Sequence, residues 1–578
     1  MADATASARV ATRPLWARLW SLPLRAHVLA LSAILLLLVP IVGTSQSFLA
    51  DEGAAMIQAR SLEAGGGWIV EHPLAEIDPE GRWYPVVNAE RGQRGAAPLG
   101  KHPAYPLLAA AAARLGGVTG IVLLSLAGTI AAAGLAAALA GRIDRSVVRP
   151  TLWIVGLASP MLFDGFLAMA HTLGAALATA AVLAAVVALQ DRRPAVALLV
   201  APAVAAAVMV RNEALLFAAA LAVVTGVVAL RRQWRGPATL VALGALSAAV
   251  GARLLERVWI AAITGGEVST TGVGVPASGD SFVRGRLDGF AMTWLTPGYG
   301  AAPVPRVALL VMVVAIAWCV LRARIHPGDP TRILLGGAVA ASGAVVAVAL
   351  APGNVVPGLL VAFPVATAGL FVLRRSMFED IGPVVVGATA ALFAGAVLAT
   401  QYAAGGTGEW GGRYFALVVP SAVPVLLAGL RLQGLALPPR VRRSLAVALA
   451  VCSLALSTMA VGALRASHQV TAGIVGRIET AGGTTGDVRP VVLTTWLGGS
   501  RLAWPTFDDH RWLFVPADDV ATAAGRLRAT GIDRFVFVTI HLEAVRAQLA
   551  GFTVVSQDGH PSGEGHQILV LEGGVPPS

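Results

Sequence analysis

Long apolar stretches recur along the chain, and they constrain its fold more than any other feature. The first covers residues 27–50, which contain no Asp, Glu, Lys or Arg and as a helix would cross about 30 Å of hydrocarbon. Hydrophobic residues make up 56% of the sequence and charged residues only 13%, so a water-soluble globular fold is excluded. The sequence therefore predicts a polytopic α-helical membrane protein.

Further apolar stretches raise the predicted number of transmembrane helices to about thirteen. They cover residues 118–141, 150–163, 168–190, 195–210, 213–230, 237–262, 303–321, 333–351, 357–373, 383–400, 414–430 and 445–464. The two cysteines, Cys319 and Cys452, lie inside these stretches, so the sequence predicts neither a disulfide framework nor a zinc site.

Arginines cluster in every second loop, as expected of cytoplasmic loops that hold a membrane protein in one orientation. The clusters are Arg142/Arg145/Arg149, Arg192/Arg193, Arg231/Arg232/Arg235, Arg322/Arg324, Arg374/Arg375 and Arg440/Arg442/Arg443. Residues 1–26 are therefore predicted to be cytoplasmic. The loops containing residues 51–104, 164–171, 211–213, 264–302, 351–356 and 401–413 are predicted to face outside. This distribution explains the net charge of +11 without a nucleic-acid partner.

The composition changes after residue 465, which divides the chain into a transmembrane domain, residues 27–465, and a C-terminal domain, residues 466–578. The second part alternates a strand at 490–496, a helix at 517–530 followed by Gly531, and a strand at 535–540. We expect a small α/β domain. An odd number of crossings places it outside, on the same side as Asp51.

Charged residues gather near the predicted outer boundary of the membrane, and the first are Asp51 and Glu52. They open a stretch with helical character, so a helix cap and a first-turn acid would explain both. The alternative is catalysis. Adjacent residues on a helix point about 100° apart, so one carboxylate would act as a base while the other positions the substrate or a metal ion.

Lys101 is the single lysine of the chain, and it precedes His102 and a predicted interfacial helix at 105–115. An ammonium group reaching towards the membrane surface would explain its position. Alternatively, Lys101 is a compact cation for a phosphate group, to which His102 donates a second hydrogen bond.

Three further polar positions interrupt or flank apolar stretches. His171 opens the fourth predicted span, where a histidine is more often structural than catalytic. Arg211 and Glu213 could form a structural pair or contribute to a site. Arg413 lies among glycines and aromatic residues, where the backbone can approach a ligand closely; its aromatic neighbours Trp410 and Tyr414 could instead be interfacial anchors.

Taken in order, these motifs resemble those of the GT-C superfamily of membrane glycosyltransferases, especially its protein mannosyltransferase and aminoarabinose transferase branch. Asp51-Glu52 resembles the D-E motif of that family, and Gly100-Lys101-His102-Pro103 resembles its K-x-P element. The run from Val210 to Leu215 is similar to R-P-E-A-L, with Asn212 in place of proline, and Trp410-Gly411-Gly412-Arg413-Tyr414 resembles W-G-x-R-Y/F. His171 stands where relatives often carry an acid.

The resemblance implies transfer of a sugar from a polyprenyl-phosphate donor to a hydroxyl group of a glycan, lipid or protein, by single displacement with inversion at the outer face of a bacterial plasma membrane. It implies that Asp51 is the base, that Glu52 orients the acceptor or a divalent cation such as Mg²⁺ or Mn²⁺, and that Lys101 with Arg211 or Arg413 stabilises the leaving phosphate. His102, His171 and Glu213 complete the predicted substrate site. A lipid-linked-sugar flippase and a non-enzymatic envelope assembly protein remain the alternatives.

Overall fold

The computed structural model describes residues 15–100, 102–266, 269–270, 286, 289–290, 293–294, 356–400, 409–483, 489–559 and 566–573. Lys101, the predicted spans at 303–321 and 333–351, and most of the loops at 264–302 and 401–413 lie outside these ranges. The described part of the chain is mostly helical.

Six of the described helices are long and apolar enough to cross a membrane. They are Leu24–Val42, Ala104–Ile143, His171–Gln190, Arg232–Thr264, Ile381–Thr400 and Pro439–Gly482. Shorter apolar helices cover Pro194–Val210, Ala214–Ala229 and Val419–Leu435. The structure therefore confirms a multi-pass helical membrane protein, while the count of about thirteen crossings stays a prediction.

Prolines divide two of the predicted spans into shorter helices. The stretch at 150–163 consists of Val148–Leu157 and Met161–Asp164, with Pro160 between them. The stretch at 357–373 consists of Leu359–Ala362 and Pro364–Val372. Both breaks follow from the missing N–H group of proline and from its clash with the preceding turn. The last helix, Pro439–Gly482, runs without interruption through the domain boundary predicted at residue 465.

The β-sheets of the protein are formed mainly by the loop after the first span and by the C-terminal part of the chain. The loop contains the helix Ala50–Glu63, here called the acidic helix, and the strands β1 (Glu90–Gly92) and β2 (Gly95–Ala97). Strand β3 (Ser269–Thr270) pairs with β1, which gives the order β2-β1-β3.

The C-terminal region, residues 489–573, contains a five-stranded sheet. Its strands are β4 (Val491–Thr494), β5 (Arg511–Phe514), β6 (Arg534–Thr539), β7 (Phe552–Asp558) and β8 (Gln567–Gly573), in the order β5-β4-β6-β8-β7. Strand β4 runs parallel to β5 and β6, whereas β8 runs antiparallel to β6 and β7. The helices Gly499–Leu502, Val520–Ala529 and Leu542–Val545 connect these strands.

The first loop and the C-terminal region share a hydrophobic core. Met56 and Ile57 of the acidic helix belong to the same buried cluster as Trp504 and Trp512 of the C-terminal region. Trp83, from the first loop, is buried among residues of the sheet such as Leu513. Two regions in direct contact must lie on the same side of the membrane, which agrees with the shared side predicted for Asp51 and the C-terminal region.

Candidate active site

The acidic helix sets the positions of Asp51 and Glu52. It begins at Ala50, after Leu49 in an extended conformation, so both carboxylates lie in its first turn. Negative charge is favourable there because the first backbone N–H groups of a helix have no partner within the helix. The side chains of Asp51 and Glu52 point in different directions, because neighbouring positions on a helix face different sides.

Glu52 turns back over the start of the helix and meets backbone donors. Its Oε2 accepts hydrogen bonds from the backbone N–H groups of Phe48 and Leu49, each at 2.8 Å. Its Oε1 accepts one from Ala168 at 2.7 Å, and only 2% of the residue is exposed. Burial raises the pKa of Glu52 to about 7 despite these donors.

The contacts of Glu52 show what its side chain holds together. Both oxygens accept hydrogen bonds from backbone N–H groups, so Glu52 joins the start of the acidic helix to the loop at Ala168, while its role in orienting an acceptor or a metal ion stays a prediction. Across the described residues, no group of three or more His, Cys, Asp or Glu lies together as metal ligands. The divalent cation that the sequence leaves open stays a prediction.

Asp51 points instead to a pair of arginines. Arg501 Nη1 donates to Asp51 Oδ1 at 3.1 Å, and Arg413 Nη1 donates to Asp51 Oδ2 at 3.4 Å. The Asp51 side chain is 30% exposed, against 24% for Arg413 and 5% for Arg501. Asp51 is thus an accessible carboxylate with a guanidinium group on each oxygen.

A continuous chain of charged and polar contacts extends from Asp51 into the protein. Arg413 Nη1 also donates to Glu409 Oε1 at 3.0 Å, and Glu409 Oε2 lies 2.7 Å from His171 Nε2. Arg211 Nη1 donates to His171 Nδ1, and Arg211 Nη2 lies 3.0 Å from Glu213 Oε1. We call this set the polar chain; its members are Arg501, Asp51, Arg413, Glu409, His171, Arg211 and Glu213.

The donors of the polar chain determine the proton on His171. Arginine has only N–H donors, so Nδ1 of His171 must accept the hydrogen bond from Arg211. The ring proton then lies on Nε2, facing Glu409. The histidine therefore connects Arg211 to Glu409 in one fixed tautomer, as a residue within the protein that has no exposed surface.

Neighbouring groups keep Glu409 and Arg413 of the polar chain ionised. Although burial by itself would raise the pKa of Glu409, the neighbouring His171 and Arg413 lower it to about 2. Burial acts in the opposite direction on Arg413, but Glu409, Tyr414 and Asp51 together raise its pKa above the usual value. Removing one partner of a buried pair typically costs about 3–5 kcal/mol, so Glu409 and Arg413 hold each other in place.

Asp164 lies beside this chain without joining it through a hydrogen bond. It is 1% exposed, and its Oδ1 has no hydrogen-bond partner in the described part of the protein. Burial and the charge of Glu409 raise the pKa of Asp164, while Arg211 lowers it, with a net increase.

The glycines before Arg413 adopt a backbone conformation that places this arginine. Gly411 and Gly412 have φ angles of 77° and 70°, in the left-handed region that favours glycine. A Cβ atom on Gly411 would collide with the side chain of Pro160. The backbone at Gly411 is thus approached closely by Pro160, where the sequence predicted that a ligand would approach it. Trp410 is buried and stacks on Phe163 with ring centroids 6.1 Å apart, which excludes an interfacial anchor role for it.

The predicted phosphate contacts of the K-x-P element are only partly described. Lys101 lies outside the described residues. His102 Nδ1 lies 2.8 Å from Glu256 Oε1, and Glu256 also accepts a hydrogen bond from Arg253. The structure thus places His102 against the membrane-spanning helix Arg232–Thr264.

The structure brings together four of the predicted residues, Asp51, His171, Arg211 and Arg413, with Glu213 at the end of the chain. It adds Glu409 and Arg501, which were not predicted. Glu409 had a signal, because it precedes the W-G-G-R-Y motif by one residue. Arg501 follows the Gly498-Gly499 pair, but nothing in the sequence connects that pair to Asp51.

Chemically, the site presents a partly exposed carboxylate between two guanidinium groups. Such a group can accept a proton, and the adjacent guanidinium groups can bind an anion that forms beside it. These are the two requirements of a transfer reaction that deprotonates a hydroxyl group and releases a phosphate.

Comparison with known proteins gives a fold but no sequence family. No protein-family model and no curated protein matches the sequence. Among solved structures, the chain is similar to ArnT from Cupriavidus metallidurans in the apo state, with a TM-score of 0.53 and 11% identity over 95% of this chain and 98% of that chain. The same ArnT bound to undecaprenyl phosphate gives a TM-score of 0.52, with the same identity and coverage. AglB from Archaeoglobus fulgidus gives 0.48 at 12% identity, over 96% of this chain and 74% of that chain. The chain therefore shares the ArnT fold over nearly its full length.

Proposed function

We propose that this protein is a membrane glycosyltransferase that moves a sugar from a polyprenyl-phosphate donor to a hydroxyl acceptor at the outer face of a bacterial plasma membrane. The observation that carries the proposal is the accessible Asp51 carboxylate between Arg413 and Arg501, in a fold shared with ArnT. That ArnT has been solved with undecaprenyl phosphate bound, which supports a lipid phosphate as the donor carrier.

The reaction is a single displacement in which the acceptor oxygen attacks the anomeric carbon. The new carbon–oxygen bond forms as the bond from that carbon to the phosphate oxygen breaks, with inversion of the anomeric centre. Asp51 takes the proton of the acceptor hydroxyl, and the polyprenyl phosphate leaves with the bonding electrons. Base catalysis of this kind contributes about 10²- to 10⁴-fold to the rate.

The developing charge on the leaving phosphate needs cations beside it. Arg413 is the candidate that the geometry favours, because its guanidinium group is 24% exposed and adjoins Asp51. Lys101 is the second candidate for stabilising the leaving phosphate, as a compact point charge, because it belongs to the sequence motif that resembles K-x-P. Arg211 is occupied by His171 and Glu213, so we assign it to holding the polar chain in place.

The test is transfer by the purified full-length protein from radiolabelled polyprenyl-phosphate sugars to membrane acceptors. We expect Asp51→Asn to fold and to lose at least 100-fold in rate, because the amide cannot take a proton. Glu63→Gln, an exposed acid at the end of the same helix, is the matched control and should transfer at the wild-type rate. An Asp51→Asn variant within threefold of wild type would show that Asp51 is not the base.

A second arm of the same assay concerns Lys101 and the alternative functions. Lys101→Arg keeps the charge but presents a wider planar group, so transfer should fall by about 10-fold or more if the ammonium group contacts the phosphate. A lysine that only reaches for the membrane surface predicts no loss. A flippase would move the donor lipid across vesicles without producing a glycosylated acceptor.

A further inference from the structure

The C-terminal region reaches the candidate base through one buried arginine. Arg501 lies in the short helix Gly499–Leu502, and its side chain is 5% exposed. Its Nη1 contacts Asp51 Oδ1 at 3.1 Å, and its Nη2 donates to the carbonyl group of Leu497 at 3.1 Å. The guanidinium group is therefore fixed at both terminal nitrogens.

The backbone that carries Arg501 is anchored to the first loop independently of this side chain. Ser500 Oγ donates to the carbonyl group of Pro85, and Arg60 Nη1 donates to the carbonyl groups of Trp504 and Pro505 at 3.2 and 3.1 Å. Gly53 of the acidic helix lies directly against the carbonyl oxygen of Arg501. Removing the Arg501 side chain therefore leaves these backbone contacts in place.

A carboxylate held by one partner can still rotate about its terminal bond, whereas one held at each oxygen by a different cation cannot do so freely. Arg413 holds Oδ2 of Asp51, and Arg501 holds Oδ1. The guanidinium group of Arg501 is largely removed from water, and its charge favours the ionised form of Asp51. Orientation of a reacting group within a fraction of an ångström affects rate strongly.

We propose that Arg501 is a positioning residue of the active site, supplied by the C-terminal region, which orients the Asp51 carboxylate by holding the oxygen that Arg413 does not contact. This inference rests on the proposed glycosyl transfer. It makes the C-terminal region a part of the active site.

The experiment compares Arg501→Ala and Arg501→Lys with wild type in the transfer assay, with kcat and KM for the donor measured across a range of pH. For Arg501→Ala we expect kcat to fall about 10- to 100-fold, with KM for the donor within threefold. We also expect the acidic limb of the kcat–pH profile to move to higher pH, because one of the two cations that contact Asp51 has been removed. The other cation, Arg413, still contacts Asp51, and Glu409 and His171 lie behind Arg413.

Arg501→Lys should keep the acidic limb near its wild-type position, since the charge is retained, while kcat stays several-fold low because the ammonium group does not reproduce the geometry of the guanidinium group. Arg546→Gln, which removes an exposed ion pair with Glu543 in the same region, is the control and should leave every value unchanged.

Three results would overturn the inference. A normal kcat per folded molecule with an unmoved pH profile in Arg501→Ala means a purely structural role. A rise in KM with unchanged kcat means that Arg501 binds the donor phosphate instead. If wild type transfers no sugar from any polyprenyl-phosphate donor, the proposed function fails, and the positioning role fails with it.

Discussion

Two adjacent carboxylates lie in different surroundings here because the first turn of a helix points them in different directions. Glu52 meets three backbone N–H groups and is buried, whereas Asp51 meets two arginines and stays accessible. A catalytic base needs access to its substrate, and a helix cap needs only the backbone. Asp51 has the access that the proposed base requires, whereas Glu52 is enclosed by backbone donors.

At the residue scale, Glu52 should leave a signature in the pH dependence of stability. Its pKa is raised from 4.5 to about 7 in the folded protein, so the folded state binds a proton more readily than the unfolded state. The folded state then loses stability as pH rises from about 4.5 to about 7, by up to about 3 kcal/mol, and the loss is constant above that range.

This prediction is measured as the difference in melting temperature between wild type and Glu52→Gln in detergent. The difference should change in favour of the variant as pH rises from about 5 to about 7, although the amide side chain offers one acceptor oxygen fewer at every pH. Glu63→Gln should show no such trend. A pH-independent difference for Glu52→Gln would mean that Glu52 titrates alike in the folded and unfolded states.

The sequence predicted that certain polar residues would lie on one side better than it predicted which of their atoms would meet. Alternating arginine clusters place the loops of Asp51, His171, Arg211 and Arg413 on one side, and the structure brings these residues together. Which atoms meet depends on how the helices pack, and that information is spread over the whole chain. Arg501 could not be predicted because it is separated from Asp51 by 450 positions.

At the element scale, glycine residues mark the positions where helices break or end. The predicted interfacial helix at 105–115 and the span at 118–141 both lie within Ala104–Ile143, where non-helical backbone at Gly116 and Gly117 divides the segment into two helices at a kink. The C-terminal helix Val520–Ala529 ends before Gly531, whose φ of 79° matches the expected cap. The hairpin of β1 and β2 was not predicted, since three-residue strands carry too little periodicity to detect.

Gly53 provides the prediction that belongs to this scale. A Cβ atom at this position would collide with the backbone carbonyl group of Arg501, and backbone cannot move aside as a flexible side chain can. Gly53→Ala should therefore separate the acidic helix from the Gly499–Leu502 helix, with a cost of about 1–3 kcal/mol or more and reduced transfer.

The matched control is Gly525→Ala in the helix Val520–Ala529, where an added Cβ has open space. That change should stabilise the protein slightly, because alanine is a better helix former than glycine by about 1 kcal/mol. Thermal unfolding in detergent and transfer activity measure both variants. Equal melting temperatures for the two variants would show that the close approach at Gly53 is not maintained in solution.

At the scale of the whole molecule, the membrane part and the C-terminal region meet at the site. The acidic helix follows the first span, and its Asp51 contacts Arg501 at the far end of the chain. Both ends of the intervening sequence must then lie on one side of the membrane, so it crosses an even number of times. When the first span is added, the total number of membrane crossings is odd. The predicted number of about thirteen crossings is consistent with an odd total.

This parity allows the side to be tested from the end of the chain. Because arginine clusters predict a cytoplasmic N-terminus, the C-terminal region should face the periplasm, and alkaline phosphatase fused after Ser578 should be active in a bacterial host. A fusion within the Arg192/Arg193 loop is the control and should be inactive, since the enzyme folds only outside the cytoplasm. If the fusion after Ser578 is inactive while a cytoplasmic reporter at the same place is active, the site faces the cytoplasm. The acceptor hydroxyl would then have to be sought among cytoplasmic molecules, because Asp51 and Arg501 share that side.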